Sequence, residues 1–345
     1  VTDGKMGGLL GNVQALRAVA ALMIVVVHLG PLLATAGLGA DLGVFQAGVD
    51  VFFVISGFIM VHISRDRMPG PGNFLHNRVI RIVPAYWLVS LVFLAAATAL
   101  RQWHPDGAGL GLLARSLFFL PSGDPPLYYP LLYVGWSLNF EMFFYLLFAL
   151  TLALKLAPLA RTIAVAALLT IPVTLVGLRL VPPSLADFYG NPIVYEFVLG
   201  MLLGLAWPWF GRMPVWSGWL GIVAGPLAMV LLHPLVEDVH RLFLAGFPGA
   251  VIVAAALVLE RHGRSVRSNG VLLIGAASYV LYLSHPIVIS AFNNLSRHLP
   301  ALRGAGAAQA VPLAALAACM VAAILIHRGF ELPVSRWLRR GGKGG

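Results

Sequence analysis

The chain has 345 residues, 59% of them hydrophobic and only 10% charged, with a mean hydropathy of +0.88. Soluble domains carry about 25% charged residues, so this composition excludes an ordinary soluble protein and points to one embedded in a membrane. The formal net charge of +10 does not indicate a nucleic-acid partner, because the basic residues follow a membrane topology, and the single cysteine, Cys319, excludes a disulfide framework.

Apolar runs near the ~20 residues that cross a bilayer as a helix recur along the chain, and they are too long for barrel strands. Residues 1–8 read as a short polar leader. The first apolar segment carries Arg17 and His28 and lacks a cleavage site, so no cleavable signal peptide is expected. Ten spans follow, at 10–33, 43–63, 79–100, 131–154, 161–180, 190–210, 215–233, 242–260, 271–293 and 305–330. They are punctuated by Pro69-Gly70-Pro71-Gly72, Pro125-Pro126, Pro182-Pro183, Pro208, Pro234 and Pro300. In the long connection 101–130, the apolar piece 110–120 is too short to span and reads as interfacial or re-entrant. Residues 338–345 form a polar tail.

Placing the N-terminus in the cytoplasm assigns the basic residues to sides. Lys5, Arg17, Arg65, Arg67, Arg78, Arg81, Lys155, Arg161, Arg212, Arg261, Arg264, Arg267, Arg328, Arg336, Arg339, Arg340 and Lys343 fall inside. Arg101, Arg115, Arg179, Arg241, Arg297 and Arg303 fall outside. This asymmetry obeys the positive-inside rule with both termini cytoplasmic. The expected fold is therefore all-α: one integral-membrane domain over 1–345 with about ten transmembrane helices. No internal repeat is visible, which weighs against a transporter built from two related halves.

Ionisable groups inside such helices are costly and point to function. Arg17 and His28 are eleven residues apart in the first span. Eleven steps of about 100° return nearly to one face and rise roughly 16 Å. One helix thus carries a guanidinium near one surface and an imidazole deep in the lipid. Snorkelling of Arg17 and a backbone-bonded neutral His28 are the ordinary alternatives. Arg78 and Arg81, three apart, share a face where the third span begins, and their rigid forks suit phosphate. A basic group touching anionic lipid is the plain alternative, and it suffices for Arg65 and Arg67.

Acids inside spans are few. Asp50 lies early in the second span, near the depth of His28, and Glu141 lies near the middle of the fourth. Either carboxylate is a candidate to orient or charge-stabilise His28; a buried ion pair or interhelical hydrogen bond is the alternative. Glu196 receives a weaker version of the same argument. In the ninth span, Ser278-Tyr-Val-Leu-Tyr-Leu-Ser-His-Pro286 places Tyr279, Tyr282, Ser284 and His285, with Pro286 freeing a backbone carbonyl. His285 is a candidate to line the cavity of His28. Glu331, at the end of the last span, is a candidate partner for an arginine. Ser56-Gly57 and Gly200/Gly204 read as packing residues. The ten histidines lack metal-ligand spacing, and no phosphate loop or dinucleotide fingerprint is present.

Five motifs occur in order over 12–337. They are Arg17 with His28 (opened by Asn12-Val-Gln-Ala-Leu-Arg17), Gly48-Val-Asp-Val-Phe-Phe-Val-Ile-Ser-Gly-Phe58, Arg78-x-x-Arg81, Trp136-Ser-Leu-x-x-Glu141 and Ser278-Tyr-x-x-Tyr-Leu-x-His285-Pro286. Together they resemble the acyltransferase family 3 membrane proteins, which include bacterial exopolysaccharide and lipopolysaccharide O-acetyltransferases. With Asn12-Val-Gln-Ala-Leu-Arg17 at the start, the stand-alone exopolysaccharide enzymes look most similar, and a fused extracytoplasmic hydrolase-like domain is not expected. The resemblance implies an acyl donor, usually acetyl-CoA, on the cytoplasmic side of a bacterial inner membrane. It implies a polysaccharide or lipid-linked glycan hydroxyl as acceptor, a catalytic His28, and a role for Arg17, Arg78 and Arg81 toward the donor.

The expected site therefore has His28, Asp50, Glu141 and His285 as catalytic residues. Arg17, Arg78, Arg81, Tyr282 and Glu331 are assigned to donor binding, with no metal. A cationic doorway is expected to open into a tunnel ending at the His28 imidazole, with Tyr282 or Ser284 stabilising the oxyanion. Direct transfer and an acyl-histidine route both remain open. So do succinyl or longer donors, a non-glycan acceptor such as a macrolide, and, in another class, a transporter or flippase of lipid-linked saccharides.

Overall fold

The computed structural model describes residues 10–65, 68–99, 107–122, 129–180, 188–235, 240–299 and 305–341. The leader 1–8, Lys5, Arg67, Arg101, Arg303, Lys343, and the prolines Pro125, Pro126, Pro182, Pro183 and Pro300 lie outside the described residues. Among the described residues every regular element is helical. The main helices are α1 (Gly11–His28), α2 (Gly48–Ile63), α3 (Pro71–Ala99), α4 (Trp136–Ala153) and α5 (Pro158–Gly177). They continue as α6 (Tyr195–Ala206), α7 (Val215–Leu232), α8 (Phe247–Arg261), α9 (Asn269–His298) and α10 (Ala305–Ile326).

Nine segments among the described residues are long and apolar enough to cross a membrane, and the chain is a multi-pass membrane protein. The expected sixth span is the exception: α6 has 12 residues, preceded by the 3-10 turn Pro192–Val194. At 1.5 Å per residue it falls short of the ~30 Å hydrocarbon core. It nevertheless runs parallel to α2. A Cβ on Gly57 would stand 2.0 Å from the Phe197 carbonyl oxygen, and one on Gly200 2.0 Å from that of Val54. Only glycine permits two backbones to approach so closely. α1 and α9 are likewise parallel, whereas α7 and α8 are antiparallel. These directions are those of ten alternating segments, nine long and one short.

α1 begins without a side-chain cap of its own; the Glu260 carboxylate at the end of α8 accepts from the Gly11 and Asn12 N–H groups at 3.2 and 2.7 Å. An anion at a helix N-terminus satisfies orphan donors and complements the helix dipole. The Asn12 side chain donates to the Ala256 and Arg264 carbonyls and accepts from the Val266 N–H, fixing this end of the bundle.

α3 starts at Pro71, two turns before the expected 79. Proline is favoured at the first helical position because its missing N–H costs nothing there. Arg78 and Arg81 thus lie within the helix rather than at its mouth. The expected interfacial piece is the helix Gly107–Leu117, tied to α3 by the Trp87 indole donating to the Leu117 carbonyl at 2.9 Å. Two π-helical turns, Leu242–Gly246 and His327–Glu331, each precede a proline, Pro248 and Pro333, which cannot donate to the preceding turn. The second leads into the helix Leu332–Gly341.

Candidate active site

Two adjoining cavities replace the single expected tunnel. The first, about 80 Å³, lies among α1, α2, α3, α4 and α9 and is lined by Arg17, Arg78, Arg81, Ser56, Glu141, Tyr145 and Tyr279, among others. The second, about 150 Å³, is lined by His28, Gln46, Tyr129, Tyr133, Trp136 and Arg241. Val49 and Tyr282 border both.

The arginine cavity holds three guanidinium groups against one carboxylate. Arg17 is buried and donates to the Gln14 side chain at 3.3 Å. Arg78 lies 5.7 Å from the Phe74 ring centroid and 5.8 Å from that of Tyr145, a cation–π placement. Its buried Nε has no hydrogen-bond partner among the described residues. Such a donor is costly unless something in the cavity accepts from it. Glu141 accepts from Ser56 at 2.9 Å and from the Tyr145 hydroxyl one turn on. Ser56, expected only as a packing residue, therefore faces the cavity, while its neighbour Gly57 packs as expected. Tyr279 donates to the Ile82 carbonyl at 2.8 Å, joining α9 to α3.

The histidine cavity is built by the close packing of α1 on α9, where a Cβ on Gly275 would meet the Gln14 carbonyl oxygen at 2.1 Å. This parallel contact brings His285 onto His28: His285 Nε2 is 3.2 Å from His28 Nδ1, and the rings are 4.8 Å apart. His28 Nδ1 also lies 2.8 Å from the Ile24 carbonyl, and His285 Nδ1 lies 3.2 Å from that of Leu281. A carbonyl only accepts, so each Nδ1 carries the proton. His285 Nε2 is then a lone pair for the His28 N–H, and His28 Nε2 is left as a lone pair able to take a proton. The Tyr133 ring stands 5.4 Å from that of His28.

Neither expected carboxylate reaches His28. Glu141 is held in the arginine cavity, and fully buried Asp50 accepts two hydrogen bonds from Arg241 Nε, at 2.8 and 3.0 Å, and another from its Nη2. A bidentate guanidinium satisfies a buried carboxylate more completely than an imidazole can. Arg241 Nη2 also donates to the Gln46 carbonyl at 2.8 Å, and fully buried Glu196 sits against the same pair.

Tyr282, expected at the donor or the oxyanion, gives its one proton to the Val134 carbonyl at 2.6 Å and lies 2.8 Å from the Ser137 hydroxyl. It borders both cavities. Ser284 is buried and lines neither cavity. Glu331 does not line the arginine cavity and pairs with His327 at 2.6 Å, but it lies close enough to Arg17 to interact with it electrostatically, as expected of a partner for an arginine.

Sequence reasoning missed Arg241, Tyr145, Gln46, Tyr133 and Trp136 as site residues. Two signals were available. Arg241 is a basic residue on the depleted side, and Tyr145 stands four residues after Glu141 in a helix.

A family model described as an acyltransferase domain matches residues 10–327. The exopolysaccharide production protein ExoZ of Rhizobium meliloti (strain 1021) is 37% identical over 254 residues, covering 71% of this chain and 76% of that protein. The acyltransferase MdmB of Streptomyces mycarofaciens is 28% identical over 323 residues, covering 85% of this chain and 81% of that protein. No solved structure matches.

Proposed function

Because the chain belongs to acyltransferase family 3 and is a membrane acyltransferase, we propose that it moves an acetyl group from acetyl-CoA to a hydroxyl of a polysaccharide or other glycan. The donor is taken up at the cytoplasmic face of a bacterial inner membrane. The observation that carries this reading is the pairing of three guanidinium groups in one cavity with a hydrogen-bonded imidazole in the next. The name of the exopolysaccharide production relative favours a glycan acceptor.

Arg17, Arg78 and Arg81 exceed Glu141 and the neighbouring Glu331 in charge, and the unpartnered Arg78 Nε suits a phosphate oxygen. The arginines line the cavity itself, so the phosphates of the donor meet them there and its thioester arm points on toward the histidine cavity. Acetyl-CoA supplies the activated carbonyl. His28 Nε2 takes the proton of the acceptor hydroxyl as that oxygen bonds to the carbonyl carbon. The carbon–sulfur bond breaks, and His28 returns the proton to the departing sulfur. The ester and free CoA are the products, with His28 again neutral. His285 holds the His28 ring through Nδ1 during both proton transfers.

The test compares surface glycans from cells with and without the protein by mass spectrometry, alongside thermal stabilisation of the purified protein by acetyl-CoA. Acetyl groups present only with the protein, and stabilisation by acetyl-CoA, are expected. Unchanged glycans and no stabilisation would favour a saccharide transporter instead.

A further inference from the structure

His28 can be approached from two directions, and the second is unassigned. Beyond the histidine cavity lies a third cavity of about 300 Å³, lined by Asp41, Gln46, His233 and Arg241, among others. Gln46 and Arg241 border both of these cavities, as Val49 and Tyr282 border both of the inner ones. The three cavities thus follow one another along the bundle, from the arginines past His28 to the end marked by Asp41 and His233. At that far end His233 and Asp41 are 3.1 Å apart, and the Gly43 N–H and His233 hold the exposed Asp41 below the usual carboxylate range.

The lining changes along this path. Around His28 it is aromatic, with Tyr129 at 44% exposure facing Tyr133 across 6.3 Å and Trp136 beside them. Where the two outer cavities meet it is polar, with Gln46 and Arg241. Exposed Gln46 lines both outer cavities and offers both a donor and an acceptor. Arg241 gives Nε and Nη2 to Asp50 and the Gln46 carbonyl, and its side chain lines both cavities. The charge of Arg241 is already balanced by Asp50, so this region does not demand an anion. Flat aromatic faces beside a few donor–acceptor groups are complementary to a ring with an apolar C–H face and a hydroxyl rim.

We infer that the Tyr129–Tyr133–Trp136 surface with Gln46 and Arg241 is the acceptor site. It takes a neutral saccharide ring from the end of the bundle opposite the arginine cavity and presents one hydroxyl to His28 Nε2. This rests on the acyl transfer to a glycan proposed above and adds the residues and entrance that select the acceptor. The two substrates enter from opposite ends and meet at His28, beside Tyr282, which borders both inner cavities.

The test uses the full-length protein in lipid nanodiscs, radiolabelled acetyl-CoA, and polysaccharide purified from cells lacking the protein as acceptor. Gln46→Ala and Trp136→Ala are expected to raise the KM for polysaccharide about tenfold, the loss of one good polar or stacking contact. The KM for acetyl-CoA should stay within about twofold, and Trp136→Phe should recover most of the loss. If Trp136→Ala does not fold, Gln46→Ala and Trp136→Phe decide. Transfer by the wild type with both polysaccharide KM values unchanged would overturn the acceptor site alone. A KM for acetyl-CoA that rises in parallel would also overturn it. No transfer by the wild type would overturn the acceptor site and the proposed function together.

Discussion

The arginine cavity and the histidine cavity share two walls and little else. In the first, three guanidinium groups face Glu141 in the lining, with Glu331 near Arg17, and a buried Arg78 nitrogen is left unpartnered. In the second, Arg241 is neutralised by Asp50, and the two imidazoles hold each other and the backbone. The first is poised to hold an anion; the second is poised to move a proton. Uncompensated cations beside a base oppose its taking up a proton, and in a low-dielectric interior that opposition acts over several ångströms. Keeping the spare positive charge on one side of Tyr282, and pairing it on the other, lets one bundle do both tasks.

That division is broken most severely from the histidine side. His28→Ala removes the base and should lower transfer about a thousandfold, within the 10²–10⁴ range of general-base catalysis. Acetyl-CoA binding, read by thermal stabilisation, should change less than about twofold. Loss of binding in the same variant would mean that the cavities are not separate in function. From the other side, Arg78→Ala with Arg81→Ala removes two charge-assisted partners, each worth about 1.5–3 kcal/mol. The acetyl-CoA affinity should fall by at least about a hundredfold, measured by titration, while turnover at saturating donor falls much less. An unchanged affinity would remove the donor from this cavity.

Much of this arrangement is legible in the sequence where one helix carries it. Arg17 and His28 share a face because helical periodicity says so, and they line adjoining cavities. The helices themselves are legible because apolar length and proline punctuation act locally. The short α6 is the one that hydropathy overstates: the apolar run is there, but the regular helix covers only 12 residues of it. The start of α3 was signalled by Pro71, whose fitness for a first helical turn outweighs the polar stretch after it. What local pattern does not encode is choice of partner. Asp50 has Arg241 191 residues away and passes over His28, and His28 finds His285 257 residues away. Both choices come from helix packing, set by close contacts such as Gly275 on Gln14 that no periodicity reports.

The smallest expected effect sharpens the comparison most, because it separates positioning from chemistry. His285 lies behind His28 and acts through Nδ1 of that ring. Its Nε2 accepts the His28 N–H only while its own Nδ1 proton is held by the Leu281 carbonyl, so two backbone carbonyls fix the tautomers of both rings. Pro286 lacks the N–H that would otherwise occupy the Tyr282 carbonyl one turn back, and that carbonyl is a further acceptor for the His285 ring. His285→Ala should lower kcat about tenfold with little change in either KM, and it should alter the pH profile of kcat, because the His28 ring is no longer held in one tautomer. His285→Gln, whose amide oxygen can again accept the His28 N–H, should restore much of the rate and the wild-type profile. A purely structural role would instead lower the amount of folded protein and leave the profile of the remainder as it was. A rate lost in both variants to the extent of His28→Ala would make His285 a reacting group in its own right.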